Sequence, residues 1–187
     1  QALQQEFSWS PDAEFTLEAN PDSLDRELLA LWRELGVNRV SIGLQSFHDA
    51  RLAALGRPHS AEQGVEALRQ ARRAGFTVGA DLLWGLPGQS TQDWLEDLCF
   101  LHHLGPDHVS CYGLSLEPGT ALAQKASQGG IRLPDEEEQA EMYLQGAAYL
   151  EALGLEQYEI SNFARPSKRC RHNEGYWAGR SYLGLGP

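Results

Sequence analysis

Five short stretches of period-two hydrophobicity run through this chain, each followed by a stretch of helical periodicity, with no hairpin signal between them. The strand stretches are residues 14–19 (EFTLEA), 39–44 (RVSIGL), 77–84 (TVGADLLW), 108–116 (HVSCYGLSL) and 156–163 (EQYEISNF). After the first, Asn20-Pro21 caps a helix whose face is Leu24, Leu28, Leu31 and Leu35 and which Gly36 ends. A short helix is predicted around 48–55, and a capping box at Ser60 (SAEQ) opens another that ends at Gly75. Ser90 and Asp93 open the helix carrying Trp94, Leu98 and Leu101, which stops at Gly105-Pro106. A small helix near 119–127 precedes a long one from Pro134, with an acidic first turn (DEEE) and a buried stripe of Tyr143, Ala147 and Leu150. Such alternation predicts parallel strands joined by right-handed crossovers. Periodicity fits an open doubly wound sheet and a (β/α) barrel equally. Five units are too few for a closed eight-stranded barrel, so a barrel reading must be a partial one.

The 187 residues are enough for one domain with a real core, and 42% apolar with 22% charged residues describes a globular chain. The net charge of −11 argues against nucleic acid as a partner, because phosphate binding needs clustered cations, and the only basic run is RPSKRCR at 165–171. No apolar run approaches the roughly 18 to 20 residues that span a bilayer, so an integral membrane protein is not expected. Cys99, Cys111 and Cys170 are too far apart for zinc-type spacing and read as isolated reduced thiols in a cytoplasmic protein. A chain that opens on Gln1 and closes on GLGP is expected to be part of a longer one.

In parallel α/β folds, ligands sit at the C-terminal strand ends. The predicted strands deliver Glu18, Gln45, Asp81, Ser115 with Glu117, and Asn162 there, and Arg57 lies in the loop GRPHS. Each alone has a plain structural role: Glu18 as a helix cap, Gln45 on loop backbone, Asp81 on an arginine. Together they are polar groups on several neighbouring strands of an apolar sheet, which are costly to bury unless a polar ligand partners them. Carboxylates and amides suit ribose hydroxyls or an ammonium group, and an arginine suits a carboxylate. A nucleoside bearing an amino acid, such as S-adenosylmethionine, carries all of these; a nucleotide or sugar phosphate also fits. Neither a Walker loop nor G-x-G-x-x-G is present.

TLEANP, RVSIGLQSF, LGRPH, DLLWGLPGQS, LEPGT, YEISNFA and HNEGYW occur in that order. In these segments the chain resembles the radical SAM family of oxygen-independent coproporphyrinogen III oxidases and their relatives, most closely the branch of haem chaperones known as HemW. The resemblance implies a partial parallel (β/α) barrel over residues 1–165, without its first cluster-bearing units, and the start of a C-terminal HNxxYW extension over 166–187. It implies that Gln45 and Asp81 take the ribose hydroxyls of S-adenosylmethionine and that Arg57 holds its carboxylate. Glu18 would lie near the ribose and amino-acid end, and Leu114 and Ser115 would line the adenosyl pocket. His59, beside Arg57, has an open role. His102, His103 and His108 read as solvated or capping residues.

The family holds a [4Fe–4S] cluster on a C-x3-C-x2-C loop, and these residues have no such loop, so the chain alone is expected to be inactive. His172 precedes Asn173, Tyr176 and Trp177, and by its residues alone this stretch reads as a loop leading into a buried aromatic pair. The resemblance makes His172 an axial haem ligand, with Cys170 second and with Lys168, Arg169 or Arg171 meeting propionates. The implied activity is binding haem and S-adenosylmethionine and delivering haem to membrane haem proteins, from the cytoplasm or peripherally at the membrane. The alternative is the sister activity, coproporphyrinogen III oxidation in porphyrin biosynthesis.

Overall fold

A computed structural model describes residues 6–185. Strand β1 (Thr16–Ala19) leads through a single 3-10 turn (Pro21–Ser23) to α1 (Arg26–Glu34). Then follow β2 (Arg39–Gln45), α2 (Asp49–Ala54), α3 (Ala61–Arg73), β3 (Thr77–Trp84), α4 (Thr91–Leu104) and β4 (His108–Gly113). The rest is α5 (Ala121–Ser127), α6 (Glu136–Ala152), β5 (Glu156–Glu159), β6 (Asn162–Ala164) and α7 (Arg171–Trp177). Among the described residues six strands form one sheet in the order β1-β2-β3-β4-β6-β5, with β1 at one edge. β1 to β4 are parallel, each beside its sequence neighbour, as the strand–helix alternation predicts.

Residues 156–163 depart from the expected single parallel strand. They fold into an antiparallel hairpin, and β6 also runs antiparallel to β4. The two-residue connection Ile160-Ser161 contains no glycine or asparagine. Side chains of the flanking strand do the work instead: Glu159 Oε2 accepts from the Ser161 N–H at 3.0 Å, and Gln157 Nε2 donates to the Ile160 carbonyl at 3.0 Å.

Two helices are rotated from the expected register. The cap of α1 is Asp25, whose carboxylate accepts from the Leu28 N–H, whereas Asn20 makes no side-chain cap bond. Starting the helix at Arg26 turns Leu29 and Trp32 to the sheet and leaves Leu31 half exposed. On α6 the fully buried row is Met142, Gly146 and Leu150, with Tyr143 and Ala147 half-buried beside it. The capping boxes at Ser60 and Ser90 are both formed.

The register divides the sheet into two chemically distinct faces. Ala19, Ile42, Ala80, Val109 and Phe163 stand in one cross-strand row, with Val40, Val78, Leu82 and Cys111 on the same side. This face forms the core, with Trp94, Leu98 and Leu101 of α4 and Leu68 of α3 packed into it. On the other face one row is Glu18, Ser41, Gly79 and His108, and the next is Gly43, Asp81, Ser110 and Asn162.

His108, expected near solvent, is 3% exposed. Its Nε2 lies 2.7 Å from the Tyr158 hydroxyl, which also accepts from the Cys170 N–H at 3.3 Å. Burial, helped by the Arg39 charge, pushes the imidazole down to about 3, so the ring is neutral and accepts the Tyr158 O–H. A folded-state value below the ordinary 6.5 contributes stability that is complete above pH 6.5 and is lost as the pH falls toward 3. Between pH 7 and pH 5 the urea midpoint of the wild type should therefore fall further than that of His108→Gln. Equal falls would refute this linkage.

Candidate functional site

The polar face opens into two adjoining clefts that share Glu18, Ser41 and Asp81. The first, about 340 Å³, lies at the C-terminal ends of β1 to β3 and is lined also by Asn20, Gly43, Gln45 and Arg57. The second, about 450 Å³, runs toward the strand starts and is lined by Arg39, His108, Ser110, Tyr112, Cys170 and His172 among others. Of the residues singled out from the sequence, Glu18, Gln45, Arg57 and Asp81 meet in the first cleft, and His172 borders the second. Ser115 stands apart: β4 ends at Gly113, and Ser115 is exposed and lines neither cleft.

Asp81 sits at the common wall. The Ser41 hydroxyl lies 3.1 Å from each of its carboxylate oxygens. Burial raises its pKa, while hydrogen bonds from Ser110 and Ser41 pull it back and the nearby Glu18 charge adds to the rise. The group is thus a partly desolvated acceptor on the wall of both clefts. Arg57 lines the same cleft and makes no ion pair among the described residues.

Gln45 ends β2 in a left-handed conformation, φ +66°, unusual for a residue with a side chain. The Ser46 N–H donates to the Leu44 carbonyl at 2.8 Å, closing a three-residue turn around it. A turn of this hand is rare and strained, at a cost of about 1 to 3 kcal/mol. The pairing with β3 skips a residue between Gly43 and Gln45, which brings both toward the cleft. Gly43 makes room there: a Cβ at that position would stand 2.9 Å from the Gln45 amide nitrogen. His59 is buried, and its Nε2 meets the same Leu44 carbonyl at 3.2 Å, so it braces the strand end and does not line the cleft.

The segment after residue 165 is tied back to the sheet through groups that the sequence did not single out. Glu14 accepts from the backbone N–H groups of Arg171 and His172 at 3.3 Å and lies 3.6 Å from Arg39. Arg39, 4% exposed, donates to the Lys168 carbonyl at 3.0 Å. The HNEGYW stretch is helical, and its aromatic pair is not buried: Tyr176 is 47% and Trp177 69% exposed. The His172 ring lies edge-on to Tyr176 at 4.7 Å, and Tyr176 meets Tyr182 at the same separation. Lys168, Arg169 and Arg171 line a third cleft of about 490 Å³ beside Arg39 and Glu14, paired there with Asp107, Glu174 and Asp12.

Ser41 and His108 had a signal that could have found them, since period-two alternation puts both on the same face as Asp81. Arg39 and Glu14 precede or begin strands and carry none.

No group of three or more His, Cys, Asp or Glu able to hold a metal ion occurs among the described residues. Cys99, Cys111 and Cys170 are free and separate. These residues do not fit a [4Fe–4S] cluster. No helix among the described residues is long and apolar enough to cross a membrane.

A model of the radical SAM superfamily matches residues 5–101. The chain is 46% identical over 188 residues to the bovine (Bos taurus) radical S-adenosyl methionine domain-containing protein 1, mitochondrial, covering all of this chain and 42% of that one. It is 43% identical over 182 residues to the heme chaperone HemW of Mycobacterium tuberculosis, covering 97% of this chain and 47% of that one. Among solved structures, coproporphyrinogen III oxidase (HemN) from Escherichia coli superposes with a TM-score of 0.76 at 26% identity, over 95% of this chain and 40% of that one. The chain spans less than half the length of each of these relatives.

The strain at Gln45 has a measurable signature. Glycine usually destabilises a strand relative to alanine, by about 0.5 to 1 kcal/mol. At a left-handed position the order reverses, so Gln45→Gly should unfold at higher urea than Gln45→Ala, by about 1 kcal/mol. A more stable alanine variant would show that the turn is not strained.

Proposed function

The chain belongs to the radical SAM superfamily, and from that premise we propose that it is the part of a haem chaperone that holds S-adenosylmethionine in the first cleft and haem at His172. The observation that carries the reading is the meeting of Gln45, Arg57 and Asp81 in one cleft whose wall is shared with the His172 cleft. Relatives named heme chaperone support the haem half. The donor set fits the nucleoside half: the Asp81 carboxylate accepts from a ribose hydroxyl, and the Gln45 amide donates to or accepts from another. The Arg57 guanidinium, without an ion pair among the described residues, takes the amino-acid carboxylate in a bidentate contact. Glu18, exposed at the rim of the first cleft, faces the ammonium group. When bound, S-adenosylmethionine supplies the sulfonium-activated adenosyl group on which the superfamily's chemistry rests. Ser115 is left out of this contact set because it lines neither cleft.

Haem is the cargo. His172 offers an imidazole at the start of an exposed helix, beside Tyr176 and the outward-facing Trp177, so a porphyrin can reach it from solvent. Release to haem-accepting membrane proteins is part of the same proposal. A second reading, oxidation of coproporphyrinogen III, is favoured by the likeness to the Escherichia coli oxidase.

Haem titration separates the two. In the full-length protein a stoichiometric Soret band is expected, and His172→Ala should shift or weaken it. An unchanged band and affinity would remove His172, and no specific band would favour the oxidase. For the nucleoside, Arg57→Ala should weaken S-adenosylmethionine binding about tenfold or more in calorimetry, the scale of a lost charge-assisted hydrogen bond. Unchanged affinity would remove Arg57 from the site.

A further inference from the structure

The turn that presents Gln45 is held from outside the cleft by one side chain. Asp97 lies in α4, 1% exposed, between Trp94 and Leu98 on the face that packs into the core. It does not line the first cleft. Its carboxylate is spent on the residues that follow Gln45: Oδ2 accepts from the Ser46 hydroxyl at 3.3 Å, and Oδ1 accepts from the Phe47 N–H at 3.3 Å. The Ser46 hydroxyl in turn accepts from the His48 N–H at 3.2 Å. The groups facing this carboxylate are few. His48 Nε2 is 3.6 Å away, and Arg51 Nη1 is 4.0 Å away while its Nη2 pairs with Asp93 at 2.9 Å. Burial pushes the Asp97 carboxyl up, and His48, the Phe47 N–H, Arg51 and Ser46 pull it back.

A buried charge on a core-facing helix position is expensive unless its hydrogen bonds are satisfied, and a helix needs none there. Here both oxygens are committed to two consecutive residues just past a strained turn. We propose that Asp97 is a positioning residue for nucleoside binding: by anchoring Ser46 and Phe47 it holds Gln45 in its left-handed conformation with the amide turned over Gly43 into the first cleft. The proposal rests on the reading of that cleft as the S-adenosylmethionine site. It assigns a binding role to a residue that touches no ligand, and it links the middle of α4 to the end of β2.

A purely structural role for Asp97 would also weaken binding if the fold loosened, so the test is a double-mutant cycle read by S-adenosylmethionine calorimetry on the full-length protein. The variants are Gln45→Ala, Asp97→Ala, Ser46→Ala and the Gln45/Asp97 double variant, with Asp97→Asn as the conservative replacement and Asp81→Ala as a reference for the site. Gln45→Ala is expected to weaken binding about tenfold, the scale of one lost hydrogen bond to a polar ligand. Asp97→Ala should weaken it to a similar extent, and adding it to Gln45→Ala should cost less than about twofold more, because the anchor acts only through that amide. Asp97→Asn keeps an acceptor for the Phe47 N–H and a partner for Ser46, and should restore affinity to within about threefold of wild type. Should Asp97→Ala not fold, Ser46→Ala, which cuts one of the two anchors, carries the test. Losses that multiply in full in the double variant overturn the proposal. So does wild-type affinity in Asp97→Ala or Ser46→Ala while Gln45→Ala is impaired. Wild-type affinity in both Gln45→Ala and Asp81→Ala would instead remove the nucleoside reading of the cleft, and the proposal with it.

Discussion

Parallel strands are ordinarily apolar on both faces, because helices cover both. Here helices cover one face, and the other carries Glu18, Ser41, Asp81, His108, Ser110 and Asn162 in adjacent rows. Each of these groups has to be solvated, paired within the sheet or met by a ligand. His108 is paired with Tyr158 and Asn162 with Glu159, while Asp81 is only partly satisfied by serines. Asp81 and the exposed Glu18 line the first cleft together with Arg57. The two clefts, their shared wall and the fold-back of the segment beyond residue 165 all follow from having one polar face to serve.

The strand end is where local conformation and function trade against each other. A left-handed Gln45 costs about 1 to 3 kcal/mol. The Ser46 hydroxyl and the Phe47 N–H both hydrogen-bond the Asp97 carboxylate just past the turn, which works against that cost. The conformation therefore persists only because neighbouring elements over-determine it: α4 through Asp97, the loop after α2 through His59, and β1 through the space left beside Gly43.

Much of this was legible in the residues. Val40, Ile42 and Leu44 alternate with Ser41 and Gly43, which fixes the face on which Asp81 and Glu18 must also fall once the strands are parallel. Arg57 in its loop was legible as a carboxylate partner through its chemistry and the family resemblance. The hairpin at 156–164 was not, because its turn is stabilised by Glu159 and Gln157 side chains and shows no glycine. The phase of α1 was misread because Asn20-Pro21 looks like a helix start, although the chain makes a 3-10 turn there and the true cap is Asp25. Asp97 was not singled out in the sequence, because its partner is a turn whose strain no periodicity reveals. His108 looked like a polar strand start and proved to be buried, because its ring is matched by a tyrosine 50 residues away in sequence.

The central claim is that the polar strand ends form a nucleoside site beside a haem-binding helix. It is tested most directly by a crystal structure of the full-length protein grown with S-adenosylmethionine. The ribose hydroxyls should lie within hydrogen-bond distance of the Gln45 amide and the Asp81 carboxylate, with the amino-acid carboxylate on Arg57. Density for the nucleoside away from the ends of β2 and β3, or a ribose that contacts neither Gln45 nor Asp81, would contradict the account.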